Sequence, residues 1–377
     1  MMNILMVTNN FTPYTGGVVS SIRALVDELQ RSGHSVMLVT LDFTGEHDDP
    51  SWVKRIYCPI RFMYKANHMA IPWRAKGQIA QIMDAYRPDI VHVHHPFLLG
   101  SIAYKLARSR KVPVIFTYHT IYEAYAHYIP LLPRFLAIAA IKRHVLSFCT
   151  QVDGIIAPSS YINDYVTQYI TKPTVTIASG LLSQFMGATV IKKSQNEPIR
   201  LLVVSRMVKE KNIEAILHVA QKLLQNRVAF RLVLIGYGDQ YAALQSYAYE
   251  ALHVTQEQVL FVHKPSKDII AKAYQEADLF LFSSQTDTQA IVLAEAMAQG
   301  TPVIALDGPG QRDIIKNGIN GYIVESEDQM VDKIEQLVFN RGLLEQLSDG
   351  AYKTSQKYHP AKVAERCIQF YSSFFCF

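Results

Sequence analysis

The sequence has few cysteines and lacks the residue patterns of several common binding sites. Its four cysteines form no C-x-x-C pair, which argues against a structural zinc site or a disulfide scaffold and favours a reducing compartment. No D-x-D triplet occurs, which weakens the case for a nucleotide site that relies on a metal ion. There is no run of about eighteen apolar residues, so we expect no transmembrane helix.

The fingerprint of dinucleotide-binding proteins is also missing. Gly16 and Gly17 follow a predicted strand and open a helix, and Gly236 and Gly238 follow a later strand. Neither pair is followed by a third glycine at the required spacing, so NAD or FAD as a cofactor is disfavoured. These glycines still allow the backbone to approach a ligand closely.

The order of apolar and helical segments predicts an α/β protein with two domains. A chain of 377 residues is too long for one typical core, and 49% hydrophobic against 18% charged residues is typical of a packed protein. Short Val/Ile/Leu strands such as Ser35–Leu41 alternate with helices, then a polar linker at Ile191–Pro198 precedes a second such series. In this second series we predict a strand at Val259–His263 and helices at Ile213–Gln225, Asp239–Ala251 and Lys267–Glu276.

We therefore predict two Rossmann-like, doubly wound domains that face each other across a cleft. The predicted boundaries are 1–185 and 195–357, with 358–377 as a helix that returns to the first domain. Ligands of such sheets bind beyond the carboxyl ends of the strands.

The positive charge is concentrated in the first part of the chain. Residues 1–190 contain 17 Lys and Arg against 11 Asp and Glu, and the stretches Pro50–Met83 and Ala124–Val152 contain no acid. Basic residues mixed with large apolar ones suit an anionic membrane surface, although a solvated basic face beside a buried helix would look similar. Nucleic acid is the least favoured partner.

The segment Thr286–Gly300 carries the strongest functional pattern. Asp and Thr are good N-cap residues, so a helix is expected to begin near Gln289 and to present free backbone N–H groups to an anion such as phosphate. Glu295 lies among apolar residues, where hydroxyl groups of a ligand could supply donors. A nucleotide sugar fits this pattern, and an ordinary capped helix whose Glu295 reaches solvent is the alternative. The expected ligand contacts here are Thr288, Gln289, Ala290, Ile291 and Glu295.

Two further groups follow predicted strands. Arg206 and Lys211 could bracket a diphosphate, and a solvated basic turn is the alternative. His119 follows the strand Val114–Tyr118, and the (i, i+4) spacing to Glu123 suggests a contact between the two on a helix face. His92, His94 and His95 lie in or just after a strand without the spacing of metal ligands, so we interpret them as mostly structural.

Taken together, these residues resemble the retaining glycosyltransferases of family 4, which have the GT-B fold, over essentially the whole chain. The matching pieces are Gly16-Gly17-Val18, His119, Ser205-Arg206 with Lys211, Gly236-Tyr237-Gly238, and an E-x7-E region that begins here with Asp287. The run H-T-I-Y-E-A-Y-A-H-Y at 119–128 is similar to the subgroup that glycosylates diacylglycerol.

The resemblance implies a role for each matching residue. Arg206 and Lys211 would hold the donor diphosphate, Glu295 the ribose hydroxyls and Asp287 the sugar. His119 would contact the sugar near the reacting centre, and the glycines at 16 and 17 would pass close to donor and acceptor. The family transfers with retention and without a metal ion.

Two positions depart from the family pattern. Asp287 is one methylene shorter than the usual Glu, and Ala290 stands where many members have Gly. We expect a cytoplasmic, peripheral membrane hexosyltransferase that moves glucose from a UDP-sugar to a lipid acceptor such as diacylglycerol. The alternatives are the same chemistry on a soluble or cell-envelope glycan, and a non-catalytic protein that binds nucleotide sugars.

Overall fold

The computed structural model describes residues 1–14, 16–45, 47–64, 67–123, 133–186 and 197–375. The chain forms two compact units, and the first combines Met1–Gly180 with the C-terminal segment Pro360–Phe377. The second unit is Leu181–His359. Most of the predicted linker Ile191–Pro198 lies outside the described residues.

The first unit is built on a seven-stranded sheet in which every described strand pair is parallel. Its strand order is β3-β2-β1-β6-β7-β8-β9. The strands are β1 Asn3–Val7, β2 Ser35–Leu41, β3 Val53–Ile56, β6 Ile90–Val93, β7 Val114–Thr117, β8 Gly154–Ala157 and β9 Thr174–Thr176. The helices of this unit are α1 Gly17–Arg31, α2 Ala75–Tyr86, α3 Leu99–Ser109, α4 Arg134–Gln151, α5 Ser160–Thr167 and α13 Pro360–Ser372.

Alternation along the strands divides the apolar residues between two cores. Ile4 and Met6 of β1 pack with residues of α1 and α13, whereas Leu5 and Val7 face a second cluster with residues of α2 to α5. Because both faces are covered, the strand is continuously apolar, as the sequence pattern predicted.

The C-terminal helix packs on this first unit through one face. Val363, Cys367 and Tyr371 are buried against α1 and β1. The Tyr371 hydroxyl lies 2.7 Å from His92 Nδ1, and His92 Nε2 lies 2.6 Å from Thr117 Oγ1. A chain of buried polar contacts therefore joins α13 to β6 and β7.

A separate two-stranded antiparallel hairpin lies within the acid-free stretch Pro50–Met83. It consists of β4 Ile60–Tyr64 and β5 Asn67–Ile71. The stretch was predicted to be basic and apolar, but these two strands and β3 were not predicted from the sequence. In β4 and β5 the alternation of apolar and polar residues is broken at Met63 and Ala70, so neither five-residue segment shows the period of a strand with one solvated face.

The second unit repeats the plan with six parallel strands in the order β12-β11-β10-β13-β14-β15. The strands are β10 Ile199–Arg206, β11 Phe230–Tyr237, β12 Val259–His263, β13 Leu279–Phe282, β14 Val303–Leu306 and β15 Gly321–Val324. Its helices are α6 Ile213–Gln225, α7 Tyr241–Ser246, α8 Lys267–Glu276, α9 Ile291–Ala298, α10 Pro309–Arg312, α11 Glu327–Phe339 and α12 Arg341–Ser355. The helix predicted at Asp239–Ala251 is instead α7 followed by a π-helical turn at Tyr247–Ala251.

Candidate active site

Strand order reverses once in each sheet, and the candidate residues follow the strands at these points. In the first unit the reversal falls between β1 and β6, and in the second between β10 and β13. At such a point the loops leave toward opposite faces of the sheet and open a crevice. Lys211 follows β10 and Asp287 follows β13, so the topology places them at one edge.

Lys211 and Asp287 form an ion pair at this edge of the second unit. Lys211 Nζ lies 2.6 Å and 2.8 Å from the two carboxylate oxygens of Asp287. The side chains are 14% and 23% exposed, so water screens the pair only in part. The structure thus brings together two residues separated by 76 positions that the sequence analysis assigned to diphosphate and sugar.

Hydrogen bonds from the two residues that follow β13 hold the Lys211 turn in place. Ser283 Oγ donates to the carbonyl of Lys211 at 2.9 Å, and Ser284 Oγ donates to that of Glu210 at 3.3 Å. Both serines are buried. These serines were not predicted as site residues, although two serines after an apolar strand indicate a place where a loop needs hydrogen-bond donors.

The helix that follows Asp287 begins later than predicted. It starts at Ile291 rather than near Gln289, and its N-cap is Ala290 without a side-chain cap. Ala290 has φ 51° and ψ 55°, in the left-handed region that favours glycine. The capping pattern of Asp287 and Thr288 was misleading because a left-handed turn, and not a side-chain cap, starts the helix.

Gly310 lets α10 approach this turn closely. A Cβ at position 310 would lie 2.6 Å from the carbonyl oxygen of Asp287 and 3.1 Å from the nitrogen of Ala290. The loop after β14 therefore supports the start of α9. Gln311 Nε2 adds hydrogen bonds to the carbonyls of Ser284, at 2.5 Å, and of Leu306, at 3.0 Å.

Glu295 is a buried carboxyl group, as its apolar neighbours in the sequence suggested. The Tyr274 hydroxyl donates to its Oε2 at 3.1 Å, and the residue is 7% exposed. Burial raises the pKa of Glu295 to about 7, against opposing effects of the Tyr274 hydrogen bond and the charge of Lys267. The alternative of a Glu that reaches solvent is therefore wrong, and the carboxylate would gain from additional donors.

Arg206 lies at the same edge of the sheet as Gly236, near the end of β11, and Gly238, just after it. Arg206 ends β10, and its Nη2 is 3.8 Å from Glu210 Oε1. Gly236 and Gly238 allow β11 to pass close to the backbone that follows β10. Added Cβ atoms would lie 1.8 Å from the Ser205 oxygen and 2.1 Å from the Met207 oxygen. This close packing requires glycine at both positions whether or not a ligand binds there.

In the first unit, His119 pairs with a histidine rather than with Glu123. His119 Nε2 lies 2.9 Å from His94 Nδ1, and the rings are stacked with centroids 5.2 Å apart. Glu123 Oε1 instead accepts a hydrogen bond of 2.6 Å from the Tyr165 hydroxyl. The predicted His119–Glu123 contact on a helix face is wrong because residues 118–121 are not helical.

Burial holds this histidine cluster in the neutral form. It lowers the pKa of His119 to about 3, that of His95 to about 4 and that of His94 far below its usual value. A small cavity of about 20 Å³ adjoins His92, His94 and His119. His119 is therefore suited to exchange hydrogen bonds with a ligand, not to carry a positive charge at neutral pH.

His94 was predicted to be mostly structural, but it contacts the candidate site residue His119. It follows β6, and His119 follows the adjacent strand β7, so the two meet at neighbouring strand ends. His92 and His95 have structural contacts, since His95 Nδ1 lies 3.1 Å from Thr8 Oγ1. Gly16 is the N-cap of α1, and a Cβ there would meet no atom within 4 Å. Gly17 is the first residue of α1.

Several expectations fall partly outside the described residues or concern absences. The motif at 119–128 is described only to residue 123. In the described ranges, no helix is both long and apolar enough to span a bilayer. Within the same ranges, no group of three or more His, Cys, Asp and Glu is arranged to hold a metal ion. Independence from metal remains a prediction.

Comparison with known proteins identifies the family. The profile of glycosyl transferases group 1 matches residues 189–354, and that of glycosyltransferase family 4 matches residues 15–181. The alpha-monoglucosyldiacylglycerol synthase of Streptococcus pneumoniae is 30% identical over 97% of this chain and 85% of its own length. The chain therefore belongs to the family 4 glycosyltransferases.

Other relatives and solved structures agree with this assignment. The glycosyltransferase is 24% identical to the alpha-monoglucosyldiacylglycerol synthase of Acholeplasma laidlawii over 98% of this chain and 96% of the relative. It is also 24% identical to a GDP-mannose-dependent alpha-mannosyltransferase of Corynebacterium glutamicum, over 87% and 78% of the two chains. Sucrose-phosphate synthase from Thermosynechococcus elongatus has the same fold, with a TM-score of 0.81 at 17% identity over 100% and 99% of the chains. The predicted GT-B fold and the predicted enzyme class, a nucleotide-sugar-dependent hexosyltransferase, are confirmed.

Proposed function

We propose that this glycosyltransferase moves glucose from UDP-glucose to a diacylglycerol-type lipid at a membrane surface, with retention of configuration and without a metal ion. The names of the two synthases support the sugar and the acceptor. The basic, acid-free stretches of the first unit support action at an anionic surface. We place this activity at the inner face of the cell membrane.

The observation that carries the proposal is the Lys211–Asp287 pair beside the start of α9. Lys has three N–H donors, and two bonds to Asp287 leave the third for a phosphate oxygen. The backbone N–H groups of residues 288–291 and the guanidinium of Arg206 add further donors at this edge. Together these residues would bind the diphosphate of a nucleotide sugar.

This donor set also suits the chemistry of transfer. When the bond between sugar and phosphate breaks, negative charge accumulates on the departing diphosphate, and a fixed ammonium group stabilises that charge. Asp287, held by Lys211, would accept hydrogen bonds from the sugar hydroxyls. In same-face attack the departing phosphate takes the proton of the acceptor hydroxyl, so no further base is required.

Glu295 and His119 would recognise the remaining hydroxyl groups. Glu295 is short of donors, and a ribose diol would supply two to its carboxylate. The neutral imidazole of His119 would exchange a hydrogen bond with the sugar near the reacting carbon. Its partner His94 fixes the direction of that ring.

Two alternatives remain open to test. The Corynebacterium glutamicum relative uses GDP-mannose, so a different nucleotide and sugar, with a glycan acceptor, form the second candidate. The third is a protein that binds a nucleotide sugar without transfer, for which the short Asp287 side chain is the supporting feature.

Transfer assays with a panel of donors separate these candidates. The purified protein is incubated with UDP-glucose, UDP-galactose or GDP-mannose and with diacylglycerol vesicles or a soluble glycan, in the presence or absence of EDTA. We expect glucosyl-lipid from UDP-glucose with and without EDTA. Transfer only to the glycan, or only from GDP-mannose, would reject the lipid or donor assignment.

Two lysines of one turn provide a matched pair of variants. Lys211→Met should lower kcat about 100-fold or more, because it removes a donor to the leaving group. Lys209→Met, an exposed neighbour in the same turn, should leave kcat nearly unchanged. Asp287→Glu tests the third candidate, since a protein without transferase activity would stay inactive with the longer carboxylate.

A further inference from the structure

The hairpin β4–β5 exposes a row of large apolar side chains. Ile60 pairs with Ile71 and Phe62 with Met69, so these four residues share one face. They are 54%, 50%, 47% and 41% exposed, respectively. Monomeric proteins rarely leave such a contiguous apolar face in water unless it has a binding role.

The opposite face ties the hairpin to the first unit. The Arg61 guanidinium bonds to the Asp42 carboxylate and, through Nε, to the Asp42 carbonyl at 3.2 Å. The Tyr14 hydroxyl donates to the carbonyl of His68, and Ala70 packs against the core. The hairpin is therefore an anchored element that presents its apolar face outward.

Exposed aromatic and basic residues flank the hairpin in the sequence. Tyr57, which precedes β4, and Trp73, which follows β5, are 54% and 59% exposed and are joined at the open end of the hairpin by a backbone hydrogen bond of 3.0 Å. Lys54, Arg74 and Lys76 are exposed nearby in the sequence, and no acid occurs from position 50 to 83. Amphipathic rings beside an apolar patch with basic residues are the composition of a membrane-interface site.

We propose that the hairpin β4–β5 docks this protein onto an anionic lipid bilayer, with its four-residue apolar face entering the interface. The charge pattern favours a bilayer over a second copy of the chain, because two copies would bring the same acid-free, basic rims together. A bilayer that contains anionic lipids instead attracts each basic residue. The inference rests on the proposed function, since it locates the surface from which the lipid acceptor would be reached.

Vesicle co-sedimentation tests this surface with a matched pair of variants. Phe62→Ser/Ile71→Ser removes apolar area from the hairpin, whereas Phe339→Ser removes an 86% exposed phenylalanine of the second unit. With phosphatidylcholine–phosphatidylglycerol vesicles, we expect the hairpin variant to bind about tenfold or more weakly and the control to bind like wild type. Higher salt should also weaken vesicle binding by the wild-type protein.

The outcomes distinguish the docking surface from the enzyme activity. Transfer to a detergent-dispersed, short-chain diacylglycerol should be unchanged in the hairpin variant, which also shows that the fold is intact. Equal vesicle binding by wild type and the hairpin variant would overturn the proposal. So would a wild-type dimer, seen in sedimentation velocity, that the hairpin substitutions dissociate. If wild type transfers no sugar to lipid while the hairpin still controls vesicle binding, the proposed function fails and the docking surface stands.

Discussion

Replacing Glu295 with Gln should stabilise the ligand-free second unit by an amount that depends on pH. The carboxyl group is buried, and its pKa is raised from 4.5 to about 7. Each pKa unit corresponds to about 1.4 kcal/mol, so keeping this group charged in the folded state costs about 3 kcal/mol. Gln keeps an acceptor for the Tyr274 hydroxyl and carries no charge.

The sign follows from where the proton is bound. Below pH 4.5 the group is protonated in both the folded and unfolded states, and above pH 7 it is ionised in both. Between these values the folded state holds the proton more tightly, so wild-type stability falls as pH rises. The free energy of unfolding of Glu295→Gln minus that of wild type should therefore increase by about 3 kcal/mol from pH 4.5 to above 7.

Denaturant unfolding at several pH values measures this difference. Both tryptophans, Trp52 and Trp73, lie in the first unit, so tryptophan fluorescence follows that unit while far-UV circular dichroism follows both. We expect the substitution to move the transition seen by circular dichroism and to leave the fluorescence transition in place. Any constant cost of burying the Gln amide would not affect the slope with pH.

A pH-independent difference between wild type and Glu295→Gln would refute this reasoning. It would mean that the carboxyl group of the ligand-free protein is already solvated or paired. The same variant should bind the nucleotide sugar more weakly at pH 8, because a neutral amide accepts hydrogen bonds from a diol less strongly than a carboxylate. A gain in stability together with a loss of affinity is typical of a functional buried charge.

Two other substitutions test the site. Ala290→Gly should raise the free energy of unfolding by about 1 kcal/mol, because it relieves the left-handed backbone at the start of α9; an unchanged or lower midpoint by circular dichroism would contradict this. His94→Leu should lower kcat about tenfold by freeing the His119 ring, and His94→Asn, which keeps a polar atom near the Nδ1 position, should recover much of it. Equal kcat in both His94 variants would show that His94 does not position His119.

Sequence reasoning worked best where burial on both sides of a sheet sets the pattern. Ser35–Leu41, Ile213–Gln225, Val259–His263 and Lys267–Glu276 have the predicted boundaries. It failed at the hairpin β4–β5, because the alternation of apolar and polar residues is broken at Met63 and Ala70 and is too short to indicate a strand. It also misplaced the start of α9, because an unusual backbone conformation at Ala290 leaves no mark on the residue types around it.

Side-chain partners were harder to predict than positions. Glu295 was recognised as a carboxylate in an apolar helix, and the structure finds it buried. The partner of His119 was not predicted. The nearest acid in the sequence is Glu123, but the side chain that contacts His119 is that of His94, which follows the adjacent strand. Nothing local to Lys211 indicates that Asp287 is its partner.

The sequence by itself determined the α/β class, the repeated strand–helix plan and the set of residues with the chemistry to bind a nucleotide sugar. These follow from the period of apolar residues and from the chemistry of single side chains. Only the tertiary structure decided which of those residues meet, because parallel strands distant in the chain end at the same edge of a sheet. It also decided which apolar residues stay in contact with water, since exposure depends on what packs above a side chain and not on its type.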